Sequence, residues 1–303
     1  MIYTIGETVI DLIFKNKQPQ AAKVGGSALN TSVSLGRLND KVAFISEIGG
    51  DEFGNWCKNF LAENGVDTSK MLQYDDKKTS LAIAFLNEQN DATYQFYKEF
   101  TLNMPICPIE CNSNDILLFS SSFALNSRVR QCVADILHRA SERNVLIVYD
   151  PNMRKPLDKK SDAYQYMREN FRFADIVHLS DEDAYALFST TDVETVYAEL
   201  QKYSVKMLIF TQNKRDVVVR TEKETLLYKV PEIKTVSTIG AGDTFNAGVL
   251  HILNNQNVTK KSVARLSKKF WDVAIPFAIA CAGNVCQSMD NYVDLSFALK
   301  QNS

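Results

Sequence analysis

The chain alternates short apolar runs, rich in β-branched residues, with longer runs of helical periodicity. The apolar runs have the length and composition of strands and lie at 42–49, 116–120, 145–150, 176–180 and 207–211. The helical patterns lie between and around them at 52–64, 127–143, 161–171, 182–188 and 193–202. This alternation predicts an α/β fold, with a mostly parallel central sheet covered by helices on both faces.

Polar residues follow two of the predicted strands. They stand in the stretches Val148–Arg154 and Phe210–Arg215, where each strand ends. In open α/β sheets, ligands bind in the crevice beyond the carboxyl ends of the strands. The polar groups of both stretches are therefore expected to face a crevice.

A second pattern, at 79–100, has no helix beside it. Two runs of strand-like alternation flank residues 87–91, which predicts a hairpin. Together with a strand at 9–14, it is expected to form a small β-lid from the segments about 9–24 and 79–103, over the crevice or against a second subunit. A plain extension of the main sheet is the alternative. Exposed hairpin edges tend to be covered, so a homodimer joined through the lid is a further expectation.

The composition is that of an ordinary globular protein. Hydrophobic residues make up 45% of the 303 residues and charged residues 23%, with a net charge of −2, which predicts no nucleic-acid and no membrane partner. No linker divides residues 1–303, so a single domain is expected. The first residues lack the basic region of a signal peptide, and Pro276 and Asn284 interrupt the longest uncharged apolar stretch, which favours a buried helix and a cytoplasmic protein. The six cysteines form no CxxC pair, so neither structural zinc nor a disulfide framework is expected.

Glycine is scarce, with 12 residues in the chain, and a pair of glycines stands at each of two predicted helix starts. Gly25–Gly26 precede a helix that carries Asn30, and Gly240–Gly242 open a helix that carries Asp243 in its first turn. A glycine pair at the mouth of a helix lets another atom approach the main chain and leaves N–H groups pointing at one spot. Such a spot binds anions. The alternative is that the two polar residues only cap their helices, the second beginning near Thr244.

Four motifs carry a resemblance to a known family: Gly6-Glu-Thr-Val-Ile-Asp11, Gly25-Gly-Ser-Ala-Leu-Asn30, Asp150-Pro-Asn-Met-Arg154 and Thr238-Ile-Gly-Ala-Gly-Asp243. In this order, over nearly the whole chain, they resemble the ribokinase-like, or phosphofructokinase B, family of carbohydrate kinases. The start of the chain and the stretches 49–54, 64–69 and 96–98 are most similar to bacterial fructokinases. The resemblance implies a ribokinase-like fold with a β-lid, and phosphoryl transfer from ATP, with Mg²⁺, to a sugar hydroxyl.

The resemblance also implies residue roles on the sugar side. Asp243 takes the proton from the sugar's primary hydroxyl, and the main-chain amides of Ala241, Gly242 and Asp243, in the turn that Gly240 opens, stabilise charge on the γ-phosphate. Asp11 accepts two sugar hydroxyls. The remaining implied sugar-side residues are Gly25 and Gly26, which allow close approach, together with Asn30, Asn152, Arg154 and Lys98. For Lys98 and Arg154, a solvated surface position is the alternative.

On the nucleotide side, the chain departs from the family pattern. The implied nucleotide contacts are Thr211, Asn213, Asn246 and Asn284, with exposed helix positions as the alternative for the last two. Asp183 is implied to reach Mg²⁺ through a water, but it is one methylene shorter than the Glu that usually stands there. The stretch 211–216 lacks both glycines of the usual Thr-x-Gly-x-x-Gly loop. Ser237 replaces an Asp that helps to hold a monovalent cation in relatives, so potassium activation is not expected.

Three functional hypotheses follow. The first is an ATP- and magnesium-dependent kinase of a ketose, with fructose as the leading substrate. The second is the same chemistry on 2-keto-3-deoxygluconate, ribose or a nucleoside; a carboxylate substrate gives Lys98 and Arg154 a clear role. The third is a sugar-binding or regulatory protein that has lost efficient nucleotide use, as the missing loop glycines suggest.

Overall fold

The computed structural model describes residues 1–88, 92–98, 109–153 and 155–301. Arg154 and parts of the predicted lid segment lie outside the described residues. The strands are β1 Ile2–Ile5, β2 Val9–Lys15, β3 Gln18–Gly25, β4 Val42–Gly49, β5 Val66–Asp67, β6 Met71–Tyr74, β7 Ser80–Leu86, β8 Ala92–Tyr97, β9 Ile116–Ser120, β10 Leu146–Asp150, β11 Ile176–Ser180, β12 Met207–Thr211, β13 Val217–Thr221 and β14 Thr225–Tyr228. The helices are α1 Ser27–Arg37, α2 Glu52–Glu63, α3 Arg130–Glu142, α4 Asp162–Phe173, α5 Asp181–Phe188, α6 Val193–Gln201, α7 Ala241–Asn255, α8 Lys268–Cys286 and α9 Leu295–Gln301.

The main sheet has the strand order β14-β13-β12-β11-β10-β9-β1-β4-β5, and β6 also pairs with β4. The pairs from β12 through to β5 are parallel, whereas β13 and β14 add an antiparallel edge. The predicted mostly parallel sheet is therefore confirmed, as are the five strands and five helices expected from the alternation, within a few residues at their ends.

Alternate residues of the parallel strands face two separate cores. On β9, Ile116 and Leu118 pack in a core with α1, α2, α7 and α8, while Leu117 and Phe119 pack with α3, α4, α5 and α6. Because helices cover both faces, such strands are apolar on both sides, which explains why they read as continuous apolar runs. In the part of the chain that the structure describes, no helix is long and apolar enough to cross a membrane.

A second, four-stranded sheet has the order β3-β2-β7-β8. The expected hairpin is present as β7 and β8, and β7 pairs in parallel with β2, from Val9 beside Ser80 to Lys15 beside Leu86. The strand expected at 9–14 is thus confirmed as the partner of the hairpin. The role of this sheet as a lid, and the single-domain organisation, stay predictions.

Several short elements were not predicted, among them β1, β5, β6, β13, β14 and α9, and one helix boundary was wrong. Strand β1 has only four residues and ends at Ile5, directly before Gly6, so it lacks a readable period, although it lies inside the sheet between β9 and β4. Strands β13 and β14 form the short antiparallel edge, outside the strand–helix alternation. Helix α7 begins at Ala241 rather than near Thr244, because Gly240 takes the left-handed conformation (φ 80°) and starts the helix three residues earlier.

Candidate active site

Asp243 lies in the first turn of α7, where that helix meets the start of α1. Its side chain is only 7% exposed. Oδ1 accepts a hydrogen bond from the Ser27 hydroxyl at 2.6 Å, and Oδ2 accepts one from the Asn30 amide at 2.8 Å. The Thr31 hydroxyl donates to the Asp243 main-chain carbonyl at 2.9 Å, which fixes the two helices together. Gly240 occupies the N-cap position of α7, so Asp243 is not a helix cap, and its carboxylate is held in place by α1.

The turn before Asp243 contains two glycines with different functions. A Cβ atom on Gly240 would lie 2.4 Å from the carbonyl oxygen of Asn291, and its φ of 80° disfavours any side chain. A Cβ atom on Gly242 would meet nothing within 4 Å. The packing of the fold therefore requires glycine at position 240, whereas the absence of a side chain at Gly242 leaves open space next to main-chain amides. The Ala241 amide already donates to the Thr238 carbonyl at 3.3 Å.

Asp11, on β2, was predicted to bind the sugar, and the structure places it near Asp243. It is 9% exposed, and its Oδ2 accepts a hydrogen bond from the Asn291 amide at 3.1 Å. Burial, followed by the negative charge of Asp243, raises the pKa of Asp11 to about 7, although the bond from Asn291 opposes this shift. The ionisation of Asp11 therefore depends on the charge of Asp243.

Asn30 contributes a second acceptor to the same region. Its amide nitrogen is used by Asp243, but its Oδ1 is buried with no hydrogen-bond partner among the described residues. A buried acceptor without a partner is costly, which is expected where a ligand hydroxyl supplies the missing donor.

Gly25 and Gly26 let other atoms of the protein approach closely, whereas the approach of a sugar at these glycines stays a prediction. A Cβ atom on Gly25 would lie 2.0 Å from Asp11 Oδ2. On Gly26, which has a φ of 126°, it would lie 2.2 Å from the Glu7 carbonyl oxygen. These glycines thus shape the sugar side by letting Asp11 and the Glu7 main chain pack against the start of α1.

Lys98 follows β8 and turns inward, so a solvated surface position is wrong for it. Its ammonium group forms an ion pair with the Glu7 carboxylate and lies 3.3 Å from the Ser122 hydroxyl. The side chains of Lys98 and Glu7 are only 18% and 13% exposed. Arg154 lies outside the described residues, so its predicted contact with the sugar and the surface alternative both stay predictions.

A cavity of about 350 Å³ opens on the other side of Asp243. Its lining brings together most of the residues predicted for phosphate, metal and nucleotide: Asp183, Thr211, Asn213, Gly240, Ala241, Gly242 and Asp243. Asn152, which was predicted for the sugar side, lines this cavity as well. Apolar side chains, including Val230, Ile233 and Ile279, line another part of the wall. The polar groups that follow β10 and β12 thus face a common crevice, as the strand order predicted.

Asn246 and Asn284 are not among the lining residues of this cavity. Asn246 is 3% exposed and donates to Asp150 Oδ2 at 2.6 Å, so an exposed helix position is wrong for it. Asn284 accepts a hydrogen bond from the Asp294 main-chain amide at 2.8 Å. Both side chains have structural partners, and the geometry gives no support to their predicted contact with a nucleotide.

Asp183 has an orientation that fits a metal-bound water. Its Oδ2 accepts hydrogen bonds from the main-chain amide and the hydroxyl of Ser180 in a capping box. Its Oδ1 is buried and has no hydrogen-bond partner in the described part of the chain. Burial and the charge of Asp150 raise the pKa of Asp183 to about 6. A divalent cation nearby would favour the ionised carboxylate and satisfy Oδ1 through its water.

Within the described ranges, no group of three or more His, Cys, Asp or Glu side chains is placed to hold one metal ion. Mg²⁺ commonly binds through one or two carboxylates, several waters and the phosphates of a substrate. The unsatisfied Oδ1 of Asp183 fits this binding mode, in which waters and the nucleotide phosphates supply most of the ligands of the ion.

His178 is a cavity residue that the sequence analysis did not identify. Its Nε2 lies 3.1 Å from the Thr211 hydroxyl and its Nδ1 lies 3.4 Å from Asp150 Oδ2. Burial by itself lowers the pKa of His178, but the nearby negative charges of Asp150 and Asp183 outweigh it, so the pKa is raised. The available signal was a histidine inside an otherwise apolar strand, Ile176–Ser180. Ser27 and Asn291 were also missed.

Comparison with known proteins identifies the family. The model of the pfkB family of carbohydrate kinases matches residues 1–294. The chain belongs to this family. It is 27% identical over 302 residues to "Probable fructokinase-5" of Arabidopsis thaliana, which covers 94% of this chain and 91% of the relative. It is 24% identical over 258 residues to a fructokinase of Vibrio alginolyticus, which covers 84% of each chain.

The fold comparison agrees with this assignment. The solved structure of a fructokinase with bound ATP from Xylella fastidiosa superimposes with a TM-score of 0.83 at 22% identity, and the match covers 99% of this chain and 97% of that one. The ribokinase-like fold expected from the motifs is therefore confirmed. The chain is a fructokinase-like carbohydrate kinase of the pfkB family.

Proposed function

We propose that the protein phosphorylates the primary hydroxyl of fructose, with ATP as the phosphoryl donor. The observation that carries this proposal is the position of Asp243, between the sugar-side acceptors and the cavity that opens at Gly242. One carboxylate is thus within reach of a hydroxyl on one side and of a phosphoryl group on the other. A pure sugar-binding protein has no need for a base beside an anion-binding turn.

In the proposed reaction, the Asp243 carboxylate takes the proton of the primary hydroxyl. The hydroxyl oxygen then forms a bond to the γ-phosphorus as the bond from that phosphorus to the β–γ bridging oxygen breaks, and ADP leaves. Ser27 and Asn30 donate to the two carboxylate oxygens and keep them oriented for this transfer. The Gly242 amide and the positive end of α7 stabilise negative charge on the phosphoryl oxygens. Asp183 would hold Mg²⁺ through a water, and the bound ion would supply positive charge next to the nucleotide phosphates.

The nucleotide loop supports ATP use, although both usual glycines are absent. Asn213 stands at the position of the first glycine and has a φ of 55°, the left-handed conformation. Asn is among the few residues that adopt this conformation readily. The main chain of the loop therefore follows a path that glycine would allow, which weighs against the hypothesis of a regulatory protein without nucleotide use.

The ion pair between Lys98 and Glu7 favours a neutral sugar over 2-keto-3-deoxygluconate. Lys98 is largely buried, and its charge is already matched by that of Glu7. An incoming substrate carboxylate would have to displace Glu7 or share its counter-ion, and leaving a buried charge unpaired is costly. Asp11 and the Asn30 carbonyl are acceptors, and they suit the hydroxyl groups of an uncharged sugar.

The test is ADP release with ATP and Mg²⁺ against fructose, ribose, 2-keto-3-deoxygluconate and adenosine. We expect turnover with fructose, and a loss of about 10²- to 10⁴-fold in kcat in Asp243→Asn, because a positioned base contributes a factor of this size. Asp135→Asn, on α3 and away from the site, is the matched control and should retain activity. Equal kcat in Asp243→Asn and the control would refute the assigned base. Turnover of another sugar in place of fructose would refute the substrate.

A further inference from the structure

The segment that follows α8 joins the two halves of the candidate active site. Asn291, in this segment, is 1% exposed, and its side-chain amide donates to Asp11 Oδ2 at 3.1 Å. Its carbonyl oxygen packs against Gly240, so closely that a Cβ atom there would lie 2.4 Å away. One residue therefore contacts both the sugar-side carboxylate and the turn that opens α7.

The neighbours of Asn291 fasten this segment to strand β3. Asp290 forms an ion pair with Lys23, and the Tyr292 hydroxyl donates to the Val24 carbonyl at 2.9 Å. Tyr292 is 5% exposed, so this attachment is part of the core. The position of Asn291 is thus set by contacts on both sides of it along the chain.

The hydrogen bond from Asn291 assigns separate roles to the two oxygens of Asp11. Oδ2 is held by the amide and is packed against Gly25, which has no side chain to obstruct it. Oδ1 accepts no hydrogen bond from the residues that the structure describes. An amide NH₂ group only donates, so it favours the ionised carboxylate, which can then accept from sugar hydroxyls through Oδ1.

We propose that Asn291 is a positioning residue that holds Asp11 in the orientation and charge state needed to accept sugar hydroxyls. This inference rests on the proposed function. Asn291 itself does not touch the reacting atoms. Its contribution is expected in the affinity for sugar rather than in the chemical step.

The negative charges around Asp11 oppose its ionised form. They are Asp243 on α7 and Glu7 between β1 and β2. Lys23 lies opposite Asp11 on β3, and its charge is matched by Asp290. The Asn291 hydrogen bond acts in the other direction and lowers the pKa of Asp11 from what burial and these negative charges would give. Removing it should therefore raise that pKa and move the acidic limb of kcat/KM for sugar to higher pH.

The test compares Asn291→Ala and Asn291→Asp with the wild type. Removing a hydrogen bond to a carboxylate should raise KM for sugar about tenfold or more, while kcat and KM for ATP change less than about threefold. Asn291→Asp has nearly the same shape but places a second carboxylate beside Asp11, so it should be worse than Asn291→Ala. Asn254→Ala is the matched control, because Asn254 makes the same kind of bond, to Asp40 at 2.7 Å, outside the site.

Two outcomes would overturn the inference. If Asn291→Asp behaves like the wild type, only the shape of the side chain matters. If Asn291→Ala leaves both the KM for sugar and the acidic limb unchanged, the bond has no effect on Asp11. A variant that unfolds would be recognised by its thermal melt and replaced by Asn291→Ser.

A second readout does not depend on catalysis. The side-chain carboxyl ¹³C resonance of Asp11, assigned by its loss in Asp11→Asn, is followed against pH in the protein without ligands. It should titrate near pH 7 in the wild type and at higher pH in Asn291→Ala. If the wild type phosphorylates no sugar, the proposed function fails, but this titration still decides the inference: identical curves in the two proteins would refute it.

Discussion

Asp11 is expected to reduce the stability of the unliganded protein at the pH at which it binds sugar best. Its pKa rises from 3.8 in the unfolded chain to about 7 in the folded protein, because it is buried beside Asp243. The folded state therefore binds the proton about a thousandfold more tightly than the unfolded state. At about 1.4 kcal/mol for each tenfold change, this difference is equivalent to about 4 kcal/mol.

The sign of the pH dependence follows from the direction of the shift. Since the pKa is raised on folding, the stabilisation by protonation is fully present below about pH 4 and is lost as the pH rises through 7. Between pH 5 and pH 8, the wild type should lose about 2 to 3 kcal/mol through Asp11 alone. Asp11→Asn, which cannot ionise, escapes this loss, so its stability relative to the wild type should increase by that amount over the same interval.

The assay is urea unfolding of the wild type and Asp11→Asn at pH 5 and pH 8, together with sugar binding by calorimetry at pH 8. The variant should bind sugar about 10- to 100-fold more weakly, because a hydrogen bond to a charged acceptor becomes a bond to a neutral one. Asp76→Asn, an exposed carboxylate in the turn after β6, is the control and should show no such pH-dependent gain. A stability difference between Asp11→Asn and the wild type that is equal at both pH values would show that Asp11 keeps an ordinary pKa and would refute the reasoning.

Two further predictions follow from the same geometry. Gly242→Ala should fold with nearly unchanged stability, because its Cβ meets no protein atom within 4 Å, yet it should lower kcat because the methyl group projects into the space predicted for the phosphate. Gly240→Ala should instead destabilise the fold. Thermal melts and steady-state kinetics separate the two effects, and a fully active Gly242→Ala would count against the anion-binding turn. The edge strand β8 exposes Phe96 (53%) and Tyr97 (59%), so we expect the protein to form a homodimer through this sheet. In sedimentation velocity, Tyr97→Glu should convert the dimer to a monomer. A wild type that sediments as a monomer at micromolar concentration would contradict this expectation.

Much of the fold and part of the site could be predicted from the sequence for a physical reason. The parallel strands are buried on both faces and the helices between them are amphipathic, so each element has a local pattern. Asp243 and Asn30 were identified because glycines at a helix start indicate close approach to the main chain and exposed N–H groups. Asp11 was identified through its motif. These features depend on neighbouring residues, which a single sequence displays directly.

The residues that were missed depend on contacts between distant parts of the chain. Asn291 bonds Asp11 from 280 positions away, and Ser27 bonds Asp243 from 216 positions away. Nothing in the stretch around Asn291 has a pattern of its own that indicates a binding site. His178 was visible only as one polar residue in a buried strand, and its role depends on Thr211 and Asp150, which come from neighbouring strands.

Two of the departures from the family motifs differ in their physical consequences. At Asn213 the missing glycine is replaced by a residue in the left-handed conformation that glycine favours, so the main chain at this position follows a path that glycine would allow. At Asp183 the shorter carboxylate is drawn into the capping box with Ser180, which uses Oδ2 and leaves only Oδ1 for a metal-bound water. The first missing glycine of the predicted nucleotide loop is thus compensated within the chain, whereas the shorter carboxylate at Asp183 is not. We therefore expect the consequence of these two departures in how Mg²⁺ is held.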